Sequence, residues 1–210
     1  MKSTIICIGR QYGSGGREVG EKLAKRLGVT CYDKLLIQQT AKDTGLAEEA
    51  VAENDERPIG LCAMVSGNPF ADSAALSKAF YSEEQRVFEA ERQAIVEIAA
   101  KGPCVIIGRC ASSVLRSLDY DILSVFVYAD SDDRARRIAE RNGISEKAAL
   151  RKAEKVDRMR KRYFDFYSDT PWGEMASYDL MISSSRYGID GTVDVIAKAV
   201  SDEKPEEKEK

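Results

Sequence analysis

The chain contains no histidine. Ser–His and Cys–His nucleophilic machinery and every His-ligated metal site are thereby excluded. A surplus of one charge is missing too. The 32 Lys and Arg against 35 Asp and Glu leave a formal net charge of −3. Nothing global then attracts a polyanion, so no nucleic-acid partner is expected and any anion site must be local. No apolar run approaches the roughly 20 residues needed to span a bilayer, and no membrane partner is expected. The opening MKSTIICIGR lacks the length and cleavage pattern of a signal peptide. The five cysteines, Cys7, Cys31, Cys62, Cys104 and Cys110, form no CxxC spacing. An odd, scattered set in apolar surroundings reads as reduced core thiols, and the expected compartment is the cytoplasm.

What is present is a globular composition. Over 210 residues, 43% are hydrophobic and 32% charged, enough for one core and a soluble surface. Short β-branched, apolar runs at 4–9, 29–32, 104–108, 123–128 and 180–183 read as buried parallel strands. Helical patterns follow most of them. In 17–27, Val19, Leu23 and Leu27 recur at helical spacing and Gly28 stands at the stop. This alternation predicts an α/β fold, a five-stranded parallel sheet with helices on both faces.

Two stretches break the rhythm. Residues 36–101 hold helical patterns near 46–54 and 83–100, joined by a looser Gly-, Pro- and Ser-containing piece at 59–77. Residues 140–168 form a long, charged helical stretch. Both are excursions from the sheet, longer than a simple crossover needs. The last ten residues are almost entirely Glu, Lys, Asp and Pro and are expected to be disordered.

The most informative segment is Gly9-Arg10-Gln11-Tyr12-Gly13-Ser14-Gly15-Gly16-Arg17-Glu18. A buried strand runs into glycines and then into a helix. Glycines permit positive φ and close approach of backbone N–H groups to an anion. The helix start adds free amides and partial positive charge. Gly13, Ser14, Gly15, Gly16 and Arg17 are therefore the candidate phosphate cradle. The pattern GxxxxGK[ST] is absent, because Gly16 stands where the lysine would be. Arg17, one residue later, is the candidate to supply that charge. A dinucleotide fingerprint would require a third glycine at position 18, which is Glu18. Asp33 stands at the distance of a ribose-binding acid. It also reads as the N-cap of a helix starting at Lys34, or as a substrate-site residue.

On these residues the chain resembles the cytidylate-kinase-like family, a divergent branch of the nucleoside monophosphate kinases within the P-loop NTPase superfamily. Besides Gly13-Ser14-Gly15-Gly16-Arg17-Glu18, the resemblance rests on Tyr32-Asp33-Lys34, Ile107-Gly108-Arg109 and the DSDDRARR run at 130–137. It continues through Lys155-Val156-Asp157-Arg158, Tyr163, Tyr167, Trp172 and Tyr178-Asp179-Leu180, spanning nearly all of 4–200. It implies a core at 1–35, 102–139 and 176–200, a helical NMP-binding insert at 36–101, and a lid at 140–175 closing over ATP. ATP with Mg²⁺ is the implied cofactor set, and a nucleoside monophosphate such as CMP, or another small acceptor, the implied substrate. The sequence departs from ordinary cytidylate kinases at Gly16, at Glu18, and at Ile107 and Cys110, which flank Arg109 in place of acidic residues.

Phosphoryl transfer requires positioning and charge neutralisation more than covalent chemistry. Arg151, Lys155, Arg158 and Arg162 recur at steps of four, three and four, placing four cations on one helical face. Arg158 and Arg162 are the candidates to close over the transferring group, and a solvated face is the alternative. Arg109 follows a buried strand at the edge where open α/β sheets bind ligands. It is the candidate for acceptor phosphate, with a structural ion pair as the alternative. Arg134, Arg137 and Arg141 share another face that reads as simply amphipathic and exposed. Tyr163, Phe164, Phe166 and Tyr167 read as hinge core. The expected activity is an ATP-dependent phosphotransferase. The alternatives are a non-catalytic nucleotide-binding regulator that kept the cradle without the lysine and, further off, a dinucleotide-binding oxidoreductase.

Overall fold

The computed structural model describes residues 5–34, Ile37 and 73–201, with side chains in the last stretch described from Gln85 onward. Five strands form one sheet: β1 (Ile5–Arg10), β2 (Thr30–Tyr32), β3 (Cys104–Ile107), β4 (Ile122–Tyr128) and β5 (Leu180–Ser183). Their order is β2-β3-β1-β4-β5, and every pairing is parallel. The expected five-stranded parallel sheet is what forms. Its order differs from the dinucleotide-binding arrangement, in which the second strand lies next to the first.

The helices among the described residues are α1 (Gly16–Leu27), α2 (Ser73–Ala100), α3 (Ala111–Arg116), α4 (Ser131–Asn142), α5 (Glu146–Tyr167) and α6 (Ser184–Ser201). Alternation along β1 explains the layers. Ile5 and Cys7 face one side and pack with Ala94, Ile95 and Ile98 of α2 and Leu115 of α3. Ile6 and Ile8 face the other and pack with Val19 and Leu23 of α1 and Val193 and Ile196 of α6. A strand buried on both faces needs apolar residues at every position, which is why these runs are continuous rather than alternating.

Two sequence expectations change. Residues 73–77, expected in a looser piece, are helical, and α2 begins ten residues before the pattern suggests. The helix expected near 46–54 and residues 59–72 of the looser piece lie outside the described residues, as do Cys62 and residues 202–210. The charged stretch 140–168 is not one helix. Gly143, in the left-handed region, ends α4, and the Ser145 hydroxyl accepts from Ala148 N–H to start α5. The two helices then fold together around Ile138, Ala149 and Ala153, with Tyr12 packed against them. An apolar stripe at these spacings is what docks α5 against α4.

Candidate functional site

The carboxyl ends of β1 and β2, the start of α1 and the facing sides of α4 and α5 enclose a groove of about 750 Å³. That is within the range of small-ligand sites, roughly 300–1,000 Å³. The glycine-rich turn forms one wall. Gly15, at φ 78°, leads into Gly16, the first residue of α1. A Cβ on Gly15 would stand 2.3 Å from Ile189 Cδ1, which would have to move, and the positive φ favours glycine. The Ser184 hydroxyl donates to the Ser14 carbonyl at 2.6 Å, fastening the turn to the start of α6.

The turn's amides divide into two sets. Ser14 N–H donates to the Gln11 carbonyl at 3.3 Å and Gly16 N–H to the Ser14 hydroxyl at 3.4 Å, and that hydroxyl donates to Gln11. Gly13, Gly15 and Arg17 N–H donate to no protein acceptor among the described residues. The cradle expected at 13–17 thus offers alternate amides, while the Ser14 side chain is buried and turned inward.

The backbone before the glycines is held by side chains from α4 and α5. Tyr12 N–H donates to Asp157 Oδ1 at 2.7 Å, and Arg134 Nε donates to the Tyr12 carbonyl at 2.8 Å. Arg134 Nη2 also pairs with Asp157 Oδ2. Arg160 Nη1 donates to the Arg10 carbonyl at 3.1 Å. Burial, the largest influence, holds the Asp157 carboxyl above its ordinary range, against the opposing pull of Tyr12 N–H and the Arg134 guanidinium.

Among the described residues, six cations line the groove, Arg10, Arg17, Lys34, Arg137, Arg141 and Arg160, against the three carboxylates Glu18, Glu21 and Asp33. Among the described residues the local balance is positive, although the whole chain is acidic. Arg137 Nη1 lies 3.4 Å from the Gly13 carbonyl and 3.3 Å from the Ser184 hydroxyl. The guanidinium groups of Arg141 and Arg160 lie over the Tyr12 ring, 5.2 and 5.6 Å from its centroid.

Several sequence-derived assignments move. Arg17 does not turn over the cradle. Its Nη2 pairs with Asp33 Oδ2 at 2.7 Å and its Nε with Glu21 at 2.9 Å. Asp33 accepts Ile37 N–H at its carbonyl, as an N-cap residue does, and its side chain pairs with Arg17. Arg158 and Arg162 are exposed together with Arg151 and Lys155, and none of the four lines the groove. The α5 cation that enters it, beside Val156 and Met159, is Arg160. Arg134, expected on an exposed face, is buried.

Arg109 is 2% exposed and pairs with the buried Glu91 of α2 at 3.0 Å, while Tyr163 Oη donates to the same carboxylate at 3.0 Å. Burial first, then the Glu91 charge, pushes the Tyr163 hydroxyl well above its ordinary value. Arg109 lines a separate pocket of about 30 Å³ beside Arg10, Arg160, Trp172 and Tyr178. The ion-pair alternative is the one present here. The aromatic hinge packs in part as expected. Tyr167 stacks on Phe88 with centroids 3.5 Å apart and Phe164 is buried, whereas Phe166 is exposed.

No helix among the described residues is long and apolar enough to cross a membrane, and no group of three or more His, Cys, Asp or Glu among them forms a metal cage.

The model of the cytidylate kinase-like family matches residues 5–186. A cytidylate kinase of Pyrococcus horikoshii is 28% identical over 198 residues, covering 93% of this chain and 88% of that protein. A crystal structure of an uncharacterized protein from Eubacterium ventriosum is 30% identical with a TM-score of 0.72, covering 95% of this chain and 99% of that one. Shikimate kinase from Bacteroides thetaiotaomicron shares the fold at 14% identity and a TM-score of 0.55, over 94% and 98% of the two chains.

Proposed function

The chain belongs to the cytidylate kinase-like family, and from that premise we propose that it is an ATP-dependent phosphotransferase acting on a nucleoside monophosphate, such as CMP, or on another small acceptor. The observation that carries the reading is the groove itself. Among the described residues, Gly13, Gly15 and Arg17, whose amides have no protein acceptor there, line a cleft where six cations outnumber three carboxylates. Such a site suits a ligand bearing several negative charges close together.

Gly13, Gly15 and Arg17 N–H hold the donor phosphates, with Ser14 and Gly16 shaping the turn from within. Arg137 and Arg141 approach the donor from α4. Arg160 takes the role first given to Arg158 and Arg162, neutralising charge on the transferring group. Asp33, with Arg17 attached, faces the acceptor, and Arg109 with Glu91 stiffens the crevice beneath it. A Mg²⁺ carried with the nucleotide needs only one or two protein carboxylates, because phosphate oxygens and waters complete its shell. Glu18, Glu21 and Asp33 are the groove carboxylates that suit such an ion, which would supply charge neutralisation between donor phosphates. A cytoplasmic setting agrees with this substrate class.

Coupled detection of ADP release with Mg-ATP across a panel of nucleoside monophosphates and small hydroxylated acceptors tests the reading. Saturable turnover with one acceptor is the expected result. ATP binding without turnover on any acceptor would favour the regulatory alternative, for which the glycine at position 16 is the specific argument.

A further inference from the structure

Asp157 and Arg134 form an ion pair that stays outside the groove lining. With side chains only 13% and 10% exposed, it lies too deep for a surface pair. Its contacts converge on one residue of the turn. Asp157 takes Tyr12 N–H, and Arg134 takes the Tyr12 carbonyl while pairing with Asp157. The Tyr12–Gly13 peptide unit is planar and trans, so fixing the carbonyl of Tyr12 fixes Gly13 N–H in the opposite direction. Gly13 N–H is one of the three amides without a protein acceptor among the described residues. Gly13 itself sits at φ 83°, and glycine at that position leaves the peptide free to rotate unless something holds it.

We propose that the Arg134–Asp157 pair is a positioning device that aims Gly13 N–H into the groove for a donor phosphate. It also makes the cradle's shape depend on α4 and α5 being docked. The inference rests on the turn being the donor-phosphate cradle. Two features set it apart from ordinary packing. The pair grips both polar groups of a single residue, and it lends the groove no net charge. Its influence on an anion therefore runs through the peptide it holds rather than through Coulomb attraction.

The test uses tripolyphosphate as the probe, with calorimetry for affinity and ¹H–¹⁵N spectra for the turn amides. In the wild-type chain the Gly13 amide resonance is expected to shift on titration together with those of Gly15 and Arg17. Asp157→Asn removes the charge that holds Arg134, and Arg134→Lys cannot reach Tyr12 and Asp157 together. Each should weaken tripolyphosphate by about tenfold, the scale of one charge-assisted hydrogen bond, and abolish the Gly13 shift while that of Gly15 persists.

Asp179→Asn is the control. Asp179 likewise joins an arginine, Arg116 at 2.8 Å, to a backbone amide, Ser124 N–H at 2.7 Å, away from the groove. An equal loss of affinity in that variant would reduce the effect to general stability and overturn the proposal. So would affinity within about twofold of wild type in Asp157→Asn and Arg134→Lys, or a Gly13 amide that does not respond in the wild-type chain. Failure of the wild-type chain to bind tripolyphosphate at all would instead remove the cradle reading, and this inference with it.

Discussion

Arg17 Nη2 lies 2.7 Å from Asp33 Oδ2, so the first turn of α1 and the carboxyl end of β2 are joined by charge within the groove. The arginine end is 64% exposed, so the pair should contribute under about 1 kcal/mol to stability. Arg17→Ala and Asp33→Asn should therefore melt close to wild type. Each is expected to raise the acceptor KM, and the double variant to raise it less than the product of the two, because the residues act as a unit. Steady-state kinetics on the three variants checks this. An increase confined to the ATP KM in Arg17→Ala would return that residue to the donor cradle.

Arg160 and its neighbours on α5 can be told apart by kinetics. Arg160→Ala should lower kcat by about 10³-fold if the residue neutralises the moving phosphoryl group. Arg158→Ala and Arg162→Ala, on the exposed face, should stay within about twofold of wild type and within about 0.5 kcal/mol in stability. A kcat loss in either of those matching that of Arg160→Ala would reverse the choice of face.

Arg109 should prove costly to remove for reasons of folding. Arg109→Ala leaves Glu91, 1% exposed, with its charge buried, and such a break costs about 3–5 kcal/mol. Chemical denaturation should show that loss, and replacing both partners, Arg109→Met with Glu91→Leu, should recover much of it. If Arg109→Ala keeps wild-type stability and only the acceptor KM rises, Arg109 belongs to the acceptor site.

The thiols should be slow to react. Burial raises Cys31 to about 12 and Cys104 to about 11, and pushes Cys7 higher still. A raised thiol pKa leaves very little thiolate at pH 8, and the thiolate is the nucleophile. Iodoacetamide at that pH should label Cys7, Cys31 and Cys104 at least about a hundredfold more slowly in the native chain than in urea, measured by peptide mass spectrometry. Rapid native labelling of half-buried Cys31 would contradict its assignment to the core.

The sheet is legible in the sequence because strands covered on both faces must be apolar throughout, as Cys104–Ile107 is. The turn is legible because glycines stand between a buried strand and a helix, and Gly15 there takes a positive φ of 78°. The cations of α5 were harder to assign. Helical spacing sorts Arg151, Lys155, Arg158 and Arg162 onto one face but cannot say which face meets the sheet. The usable signal lies elsewhere. Ala149, Ala153, Val156 and Phe164 mark the docking stripe by their burial or their place in the groove, and Arg160 interrupts it at the same spacing. A cation set into an apolar stripe is the one held inward. Arg109 shows the other limit. Its place at a strand end follows from the sequence, but its partner Glu91, on a different element, is a tertiary fact that local pattern does not contain.

The fastening of Ser14 by Ser184, and the filling of Gly15's empty side by Ile189, bear on the order in which this protein is made. During synthesis the turn leaves the ribosome some 170 residues before the helix that seats it. Domains emerge from their N-terminal end at about 5–20 residues per second, so the turn waits on the order of 10–30 seconds for its seat. The nascent chain should be unable to retain a phosphate ligand until residue 189 has cleared the exit tunnel.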